Sequence, residues 1–247
     1  MSKLILSRRL IVIPPVLTFF PIKLSTVSTS SRSVVPPSSP LPSLAKSTFG
    51  SPYERHRASR KTLRSLRRFQ AGSQGWKVGN TLKYDTERAL YADDLIAWLE
   101  ATQPEKWAKL QKDNGERARD VLMDRLAKAL EQHGTMHVIR NGFSIAGCGH
   151  IDVTEAAPED RRNETVFKRY AANILRVVPQ LEYHPSRKLA IDLVLFINGI
   201  PVATVELKTD FTQSAEAAME QYKTDRLPYD PKTKRREPLL TFKRGAV

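Results

Sequence analysis

A single cysteine, Cys148, in 247 residues excludes an intramolecular disulfide framework and a zinc ribbon, and it fits a reducing compartment. Long apolar runs are missing too. The longest, Leu10 to Ile22, is broken by Pro14, Pro15 and Pro21 and falls short of the roughly 20 residues a membrane-spanning helix needs. The chain therefore reads as soluble, with no membrane partner. No G-x-x-x-x-G-K-[ST] phosphate loop occurs, so this chain by itself is not expected to bind or hydrolyse ATP. Acid is scarce over the first third: residues 1–84 hold 15 Lys and Arg against Glu54 alone, while residues 85–247 hold 25 charges of each sign.

The formal charge of +14 thus belongs wholly to residues 1–84. A pI near 10 ordinarily points to a polyanionic partner through phosphate neutralisation, but here that reasoning reaches only the basic stretch. The neutral remainder would have to meet nucleic acid through a local patch, a bound metal or other subunits. Leu24 to Ser51 contains 10 Ser and 4 Pro, and Arg55 to Arg68 is basic without an acid. Such a segment cannot bury enough apolar surface to offset its ordering entropy, so residues 1–75 are expected to be a disordered basic tail. Three origins stay open. They are an organelle transit peptide, a secretory signal mimicked by Lys3, Arg8 and Arg9 before an apolar run, and a misassigned start or frame error upstream of the folded domain. Mass spectrometry of the native amino terminus separates them, since a mature start well inside residues 1–75 means processing.

From Trp76 onward the texture is that of a folded domain, taken as residues 76–247. Leu95, Ile96, Trp98 and Leu99 predict a helix over 93–101, Pro104 restarts one through Trp107 and Leu110, and Asn114-Gly115 interrupts it. Val121, Leu122, Leu126, Ala129 and Leu130 mark an amphipathic helix over 116–132 with Gly134 as its stop. A strand is expected at 136–141, an irregular glycine-rich connection at 142–149 and a short helix at 167–172. Three apolar runs follow, 174–183, 189–197 and 201–207. Asn198-Gly199 between the last two is a strong hairpin signal because both residues tolerate positive φ. A helix over 213–227 and a closing strand over 239–242 complete the order.

Asp192, Glu206 and Lys208 each stand inside an otherwise apolar strand, which is costly unless the charge is paired or coordinates metal. Glu206 and Lys208 share one strand face by the period-two alternation, and folding about Asn198-Gly199 can bring Asp192 opposite them. Two carboxylates and an ammonium at one point form a metal-dependent phosphodiesterase constellation. In it Asp192 and Glu206 would hold Mg²⁺, and Lys208 would orient or help deprotonate a water nucleophile. An ordinary cross-strand salt bridge at a solvated edge is the competing reading. His133, His137, Cys148 and His150 do not make a persuasive zinc set, because Gly134 and Thr135 separate the first pair from a common helical face. His184 reads as a solvated turn residue. Trp76, Trp98 and Trp107 read as core anchors. Lys232, Lys234, Arg235 and Arg236 form a basic loop that is either a phosphate contact or a solvated charge run.

The segment Ile191-Asp192-Leu193-Val194-Leu195-Phe196-Ile197-Asn198-Gly199-Ile200-Pro201-Val202-Ala203-Thr204-Val205-Glu206-Leu207-Lys208 resembles the nuclease core of type I restriction-modification restriction (R) subunits. Gln221-Tyr222 with Asp225, Arg226 and Pro228 resembles the helix after that core. Asp94 to Leu99, Thr102 to Glu105 and Arg169 to Asn173 are similar to upstream blocks. The resemblance spans about Trp76 to Val247. It implies an α/β restriction-endonuclease-like (PD-(D/E)xK) mixed sheet flanked by helices, with an amino-terminal helical subdomain. It implies catalytic Asp192, Glu206 and Lys208, metal ligands Asp192 and Glu206 for Mg²⁺, and DNA contacts from Gln221, Tyr222 and Arg226. It also implies double-stranded DNA as substrate, methyltransferase and specificity subunits as partners, ATP used only by a motor region not contained here, and a bacterial cytoplasmic setting with organelle import as an alternative. Two positions depart from the family pattern. Its acidic amino-terminal helix is matched here by an acid-poor stretch with Glu54 alone, and Pro179 stands where the family tends to have Arg. The alternative functional reading is an inactive truncated fragment that only docks or binds DNA.

Overall fold

The computed structural model describes residues 75–159, 162–205, 224, 226–241, 243 and 244. Glu206, Lys208, Gln221, Tyr222, Glu54, most of the helix expected over 213–227 and residues 1–74 lie outside the described residues. The chain begins with β1 (Trp76–Val78), then builds helices α1 (Ala92–Thr102), α2 (Pro104–Asn114), α3 (Ala118–His133) and α4 (Thr135–Asn141). A small hairpin, β2 (Phe143–Ile145) with β3 (Gly149–Ile151), and helix α5 (Glu164–Ala171) lead into β4 (Leu175–Glu182), β5 (Ala190–Ile197) and β6 (Ile200–Val205). The main sheet has the order β1-β4-β5-β6, with β1 parallel to β4 and the other pairs antiparallel. The fold is mixed α/β around a mixed sheet. Among the described residues no helix is long and apolar enough to cross a membrane.

The helices form where the periodicity places them. In α1 the acids Asp93 and Asp94 lie in the first turn, favourable to the helix dipole, and Leu95, Trp98 and Leu99 are buried one turn apart. Pro104 opens α2 in a position where its missing N–H costs nothing. In α3 Leu122, Met123, Leu126, Ala129 and Leu130 go inward, and Gly134 at φ 85° ends it. All three tryptophans are buried.

Two expected strands are not strands. Residues 135–141 are helix α4, because Thr135, Val138 and Ile139 are buried together at a spacing that only a helix puts on one side. A strand would send Val138 and Ile139 to opposite faces. The closing strand expected over 239–242 is a 3-10 turn at Pro238–Leu240, where neighbouring Leu239 and Leu240 are both buried and the Leu240 N–H donates to the Glu237 carbonyl at 3.0 Å. The connection expected to be irregular carries the β2–β3 hairpin instead.

The Asn198-Gly199 hairpin forms as its local chemistry demands, with φ 46° and 82° at the two turn residues and Ile197 opposite Ile200. The turn is also a docking point. Gly199 accepts the Tyr91 N–H at 2.8 Å just before α1, and a Cβ on Gly199 would lie 2.3 Å from the Tyr91 carbonyl oxygen. One turn into α1, the buried Asp94 carboxylate takes two hydrogen bonds from Arg176 of β4, at 2.5 and 2.6 Å, and the guanidinium stacks 4.5 Å from the Tyr91 ring centre. This bidentate pair fixes α1 against the sheet.

Pro179 lies inside β4 opposite Leu193 without breaking the ladder. The Val177 carbonyl accepts the Gly79 N–H on the β1 side, so the backbone of Pro179, two residues on, also points away from β5. β1 has ended by then, and the missing donor falls where no described strand pairs with β4. Along β5 and β6 the register shifts between Leu195 and Phe196, whose partners are Ala203 and Pro201. Val202 is the extra residue of a bulge.

Gly199→Ala combines a positive-φ penalty with a backbone clash. It is expected to lower stability by at least about 2 kcal/mol in urea unfolding, whereas an alanine at the exposed Gly75, with nothing near its Cβ, should cost about 1 kcal/mol from φ alone.

Candidate functional site

Asp192 sits half-buried on β5, in a strand whose residues from Leu193 to Ile197 are all buried. Its side chain shares a sheet face with Val194 and Phe196 of the same strand and with Arg176, Val178 and Gln180 across the β4 register. Phe196 on this face meets Tyr84 and Tyr91 at ring separations of 6.0 and 5.9 Å. Toward Asp192 the apolar packing gives way to a polar pair, in which the Gln180 amide Nε2 donates to Asp192 Oδ1 at 2.7 Å. Gln180 adopts φ 47° in mid-strand, a left-handed conformation uncommon for a residue with a Cβ. Sequence reading missed Gln180. The only signal was its place beside Pro179, a residue that supplies no backbone donor to a strand ladder.

On the other side of β5, Leu193 faces Val205, the residue before Glu206. Glu206 and Lys208, expected to join Asp192, lie outside the described residues, as do Gln221 and Tyr222. Arg226 is described, and it is engaged within the fold. One Nη donates to the Ala190 carbonyl at 2.7 Å, the other to the Tyr183 hydroxyl at 3.3 Å, and the guanidinium lies 5.5 Å from the Tyr183 ring centre. It thereby ties the segment around residue 226 to the start of β5, two residues from Asp192. Among the described residues no group of three or more His, Cys, Asp and Glu side chains is arranged to hold a metal ion.

His184 is not solvated. It is 4 % exposed and stands against two buried carboxylates, with Nε2 3.2 Å from Asp230 and 3.4 Å from Glu237. Its Nδ1 accepts the backbone N–H groups of Ser186 and Arg187 at 3.2 and 3.0 Å, so Nδ1 carries no proton and Nε2 carries the ring's one. Arg187 completes the cluster with a 2.9 Å hydrogen bond to Asp230. The Lys232 backbone N–H and the Arg187 guanidinium hold the Asp230 carboxyl down to about 2, whereas burial pushes Glu237 above its ordinary range. The other described histidines lie apart from this cluster. The His133 and His137 rings meet at 5.1 Å across the α3–α4 junction, His150 pairs with Asp152 at 3.3 Å, and the Cys148 thiol donates to the Lys106 carbonyl at 3.2 Å.

Residues 72–242 match the family described as type I restriction enzyme R protein N terminus. No curated protein and no solved structure matches the chain.

The two carboxylates beside His184 predict opposite pH signatures. Asp230, with its value lowered, lends stability that is complete above its ordinary 3.8 and is lost as pH falls toward about 2. Glu237, with its value raised, burdens the fold increasingly as pH climbs above its ordinary 4.5. In thermal melts across this range, Asp230→Asn should flatten the acid limb. Glu237→Gln should gain on wild type as pH rises toward about 7.

Proposed function

Because the chain belongs to the family of type I restriction enzyme R protein amino-terminal domains, we propose that it is the DNA-cleaving module of such an enzyme. In this reading it has a restriction-endonuclease-like (PD-(D/E)xK) core and hydrolyses phosphodiester bonds through Asp192, Glu206 and Lys208. The observation that supports it is the register of β5 and β6. Leu193 faces Val205, so one further step along the same ladder would set Asp192 opposite Glu206, and Lys208 would follow on the same face. The bulge matters to this. With Ile197 opposite Ile200 and no extra residue, Asp192 would meet Val205, and Glu206 would point to the other face. Val202 restores the parity that a carboxylate pair needs.

Asp192 and Glu206 supply hard oxygen donors, suited to a small divalent cation. Mg²⁺ held there would neutralise charge on the phosphate and lower the pKa of a bound water. Gln180 clamps one oxygen of Asp192, which fixes the plane of the carboxylate, as partners behind metal-binding side chains commonly do. The Lys208 ammonium would lie beside the attacking water and direct its proton. Hydrolysis adds the water oxygen to phosphorus, breaks one ester P–O bond, and returns a proton to the departing sugar oxygen. Nothing among these residues reads base edges, so the choice of site and the ATP-driven movement along DNA would come from methyltransferase, specificity and motor parts outside this chain.

Nicking of supercoiled plasmid tests the assignment. Wild type should nick with Mg²⁺, and Asp192→Ala and Lys208→Ala should each lose at least about 100-fold. Gln180→Ala should approach the wild-type rate only at roughly 10-fold higher Mg²⁺. Equal nicking by all four proteins would remove these residues from the mechanism. Absence of nicking by wild type, with duplex binding retained, would favour the inactive docking module.

A further inference from the structure

The segment from Tyr229 to Arg236 is a small closed loop with its charges sorted. Tyr229 and Arg236 bridge each other. The Asp230 N–H donates to the Arg235 carbonyl at 2.8 Å, the Lys234 N–H to the Asp230 carbonyl at 2.9 Å, and the Glu237 N–H to the Pro228 carbonyl at 2.9 Å. The Lys232 N–H donates to Asp230 Oδ1 at 2.8 Å. These bonds leave the loop little internal freedom. Its one acid, Asp230, and the adjoining Glu237 turn inward, 4 % and 3 % exposed against His184. Arg235 is half-buried and donates to the Thr86 carbonyl at 3.3 Å. Lys232, Lys234 and Arg236 turn outward and are exposed, and none of them has a carboxylate partner among the described residues. Tyr229, 45 % exposed, lies with its ring centre 6.0 Å from Lys234 Nζ. Lys188, exposed in the turn that Arg187 fastens to Asp230, adds a fourth cation.

Burying a histidine with two carboxylates is a poor way to gain stability, since apolar residues of the same volume usually serve as well or better. A buried ionic root is better suited to holding a surface loop in one position. The loop so held stands beside the β4–β5 connection. Asp192 is two residues beyond Ala190, whose carbonyl is bound by Arg226. Its three outward cations, Lys232, Lys234 and Arg236, alternate along one exposed loop. That suits a repeating anionic backbone and not a small ligand. The 85–247 stretch is neutral overall, so its own side chains attract a polyanion only through such local sorting.

We propose that the loop Tyr229–Arg236 is a phosphate-gripping finger that holds the backbone of duplex DNA without reading its sequence, through Lys232, Lys234 and Arg236. The choice of duplex DNA over an acidic protein rests on the nuclease reading above. The test is anisotropy of a labelled duplex of about 30 base pairs with the full chain, in Ca²⁺ to prevent cutting, across a salt series. The triple variant Lys232→Ala, Lys234→Ala, Arg236→Ala should reduce the slope of log affinity against log salt by about 2 to 3. The charge-matched control Lys109→Ala, Lys112→Ala, Lys128→Ala, on exposed faces of α2 and α3, should leave the slope nearly unchanged. The basic residues 1–84 contribute equally to both variants and cancel. An unaltered slope in the triple variant, or an equal loss in the control, overturns the finger. So does competition by polyglutamate as strong as that by unlabelled duplex at equal charge, which would indicate an acidic protein partner. Asp192→Ala tests the catalytic reading separately, by plasmid nicking. If it nicks like wild type while the finger variant still loses slope, the catalytic reading fails and the finger stands.

Discussion

The buried side chain of Asn198 joins the parts of this domain that sequence keeps far apart. It is 0 % exposed. Its Oδ1 accepts the Ile174 N–H at 2.7 Å, and its Nδ2 donates to the Val153 carbonyl and to Asn173 Oδ1, both at 2.8 Å. Asn173 in turn donates to the carbonyls of Glu155 and Tyr170. One two-residue turn thus fastens the end of α5, the 153–155 segment and the entry to β4. Through Gly199 it also fastens the start of α1. A buried polar network of this kind rigidifies only when its donors and acceptors find partners, and here both amide hydrogens and the carbonyl oxygen of Asn198 do.

What that anchor holds in place is a register. Counting outward from the turn, the extra residue Val202 decides which face each later residue of β6 presents, and so whether a carboxylate at 206 can belong with one at 192. On the β4 side, Gln180 reaches Asp192 from a strained backbone. Irregularities on both strands flanking one acid are costly and unusual in a strand pair. They are consistent with a side chain that must be aimed and not merely accommodated. The buried Asp94–Arg176 pair and the His184 cluster work in the same sense at the two ends of the sheet, setting position more than adding stability.

Much of this was legible in the sequence. Periodicity located α1, α2 and α3, because a helical face repeats within a few residues and needs no knowledge of its partner. Asn198-Gly199 announced the hairpin, because positive φ is a local requirement. The apolar runs of β4, β5 and β6 stood out because their strands are buried. The spacing of Asp192, Glu206 and Lys208 marked a candidate chemistry, and the match over residues 72–242 agrees with the family that the segment 191–208 resembles.

Other features depended on contacts between distant residues. Residues 136–141 are expected as strand from the sequence, yet packing makes them helix α4. Leu239 and Leu240 are buried in a turn, not a strand. His184 looked like a loop histidine until Asp230 and Glu237, about fifty residues on, closed over it. Pro179 has no backbone N–H to donate, and only the fold shows that this falls on the side of β4 away from β5, past the end of β1. By itself the sequence determined the amphipathic helices α1 to α3, the apolar strand runs and the Asn198-Gly199 turn, since those preferences are set by each residue and its near neighbours. Tertiary structure alone decided the register of β6, the partners of Asp192 and the depth of His184, because each is fixed by which chain segments meet, and no local preference encodes that.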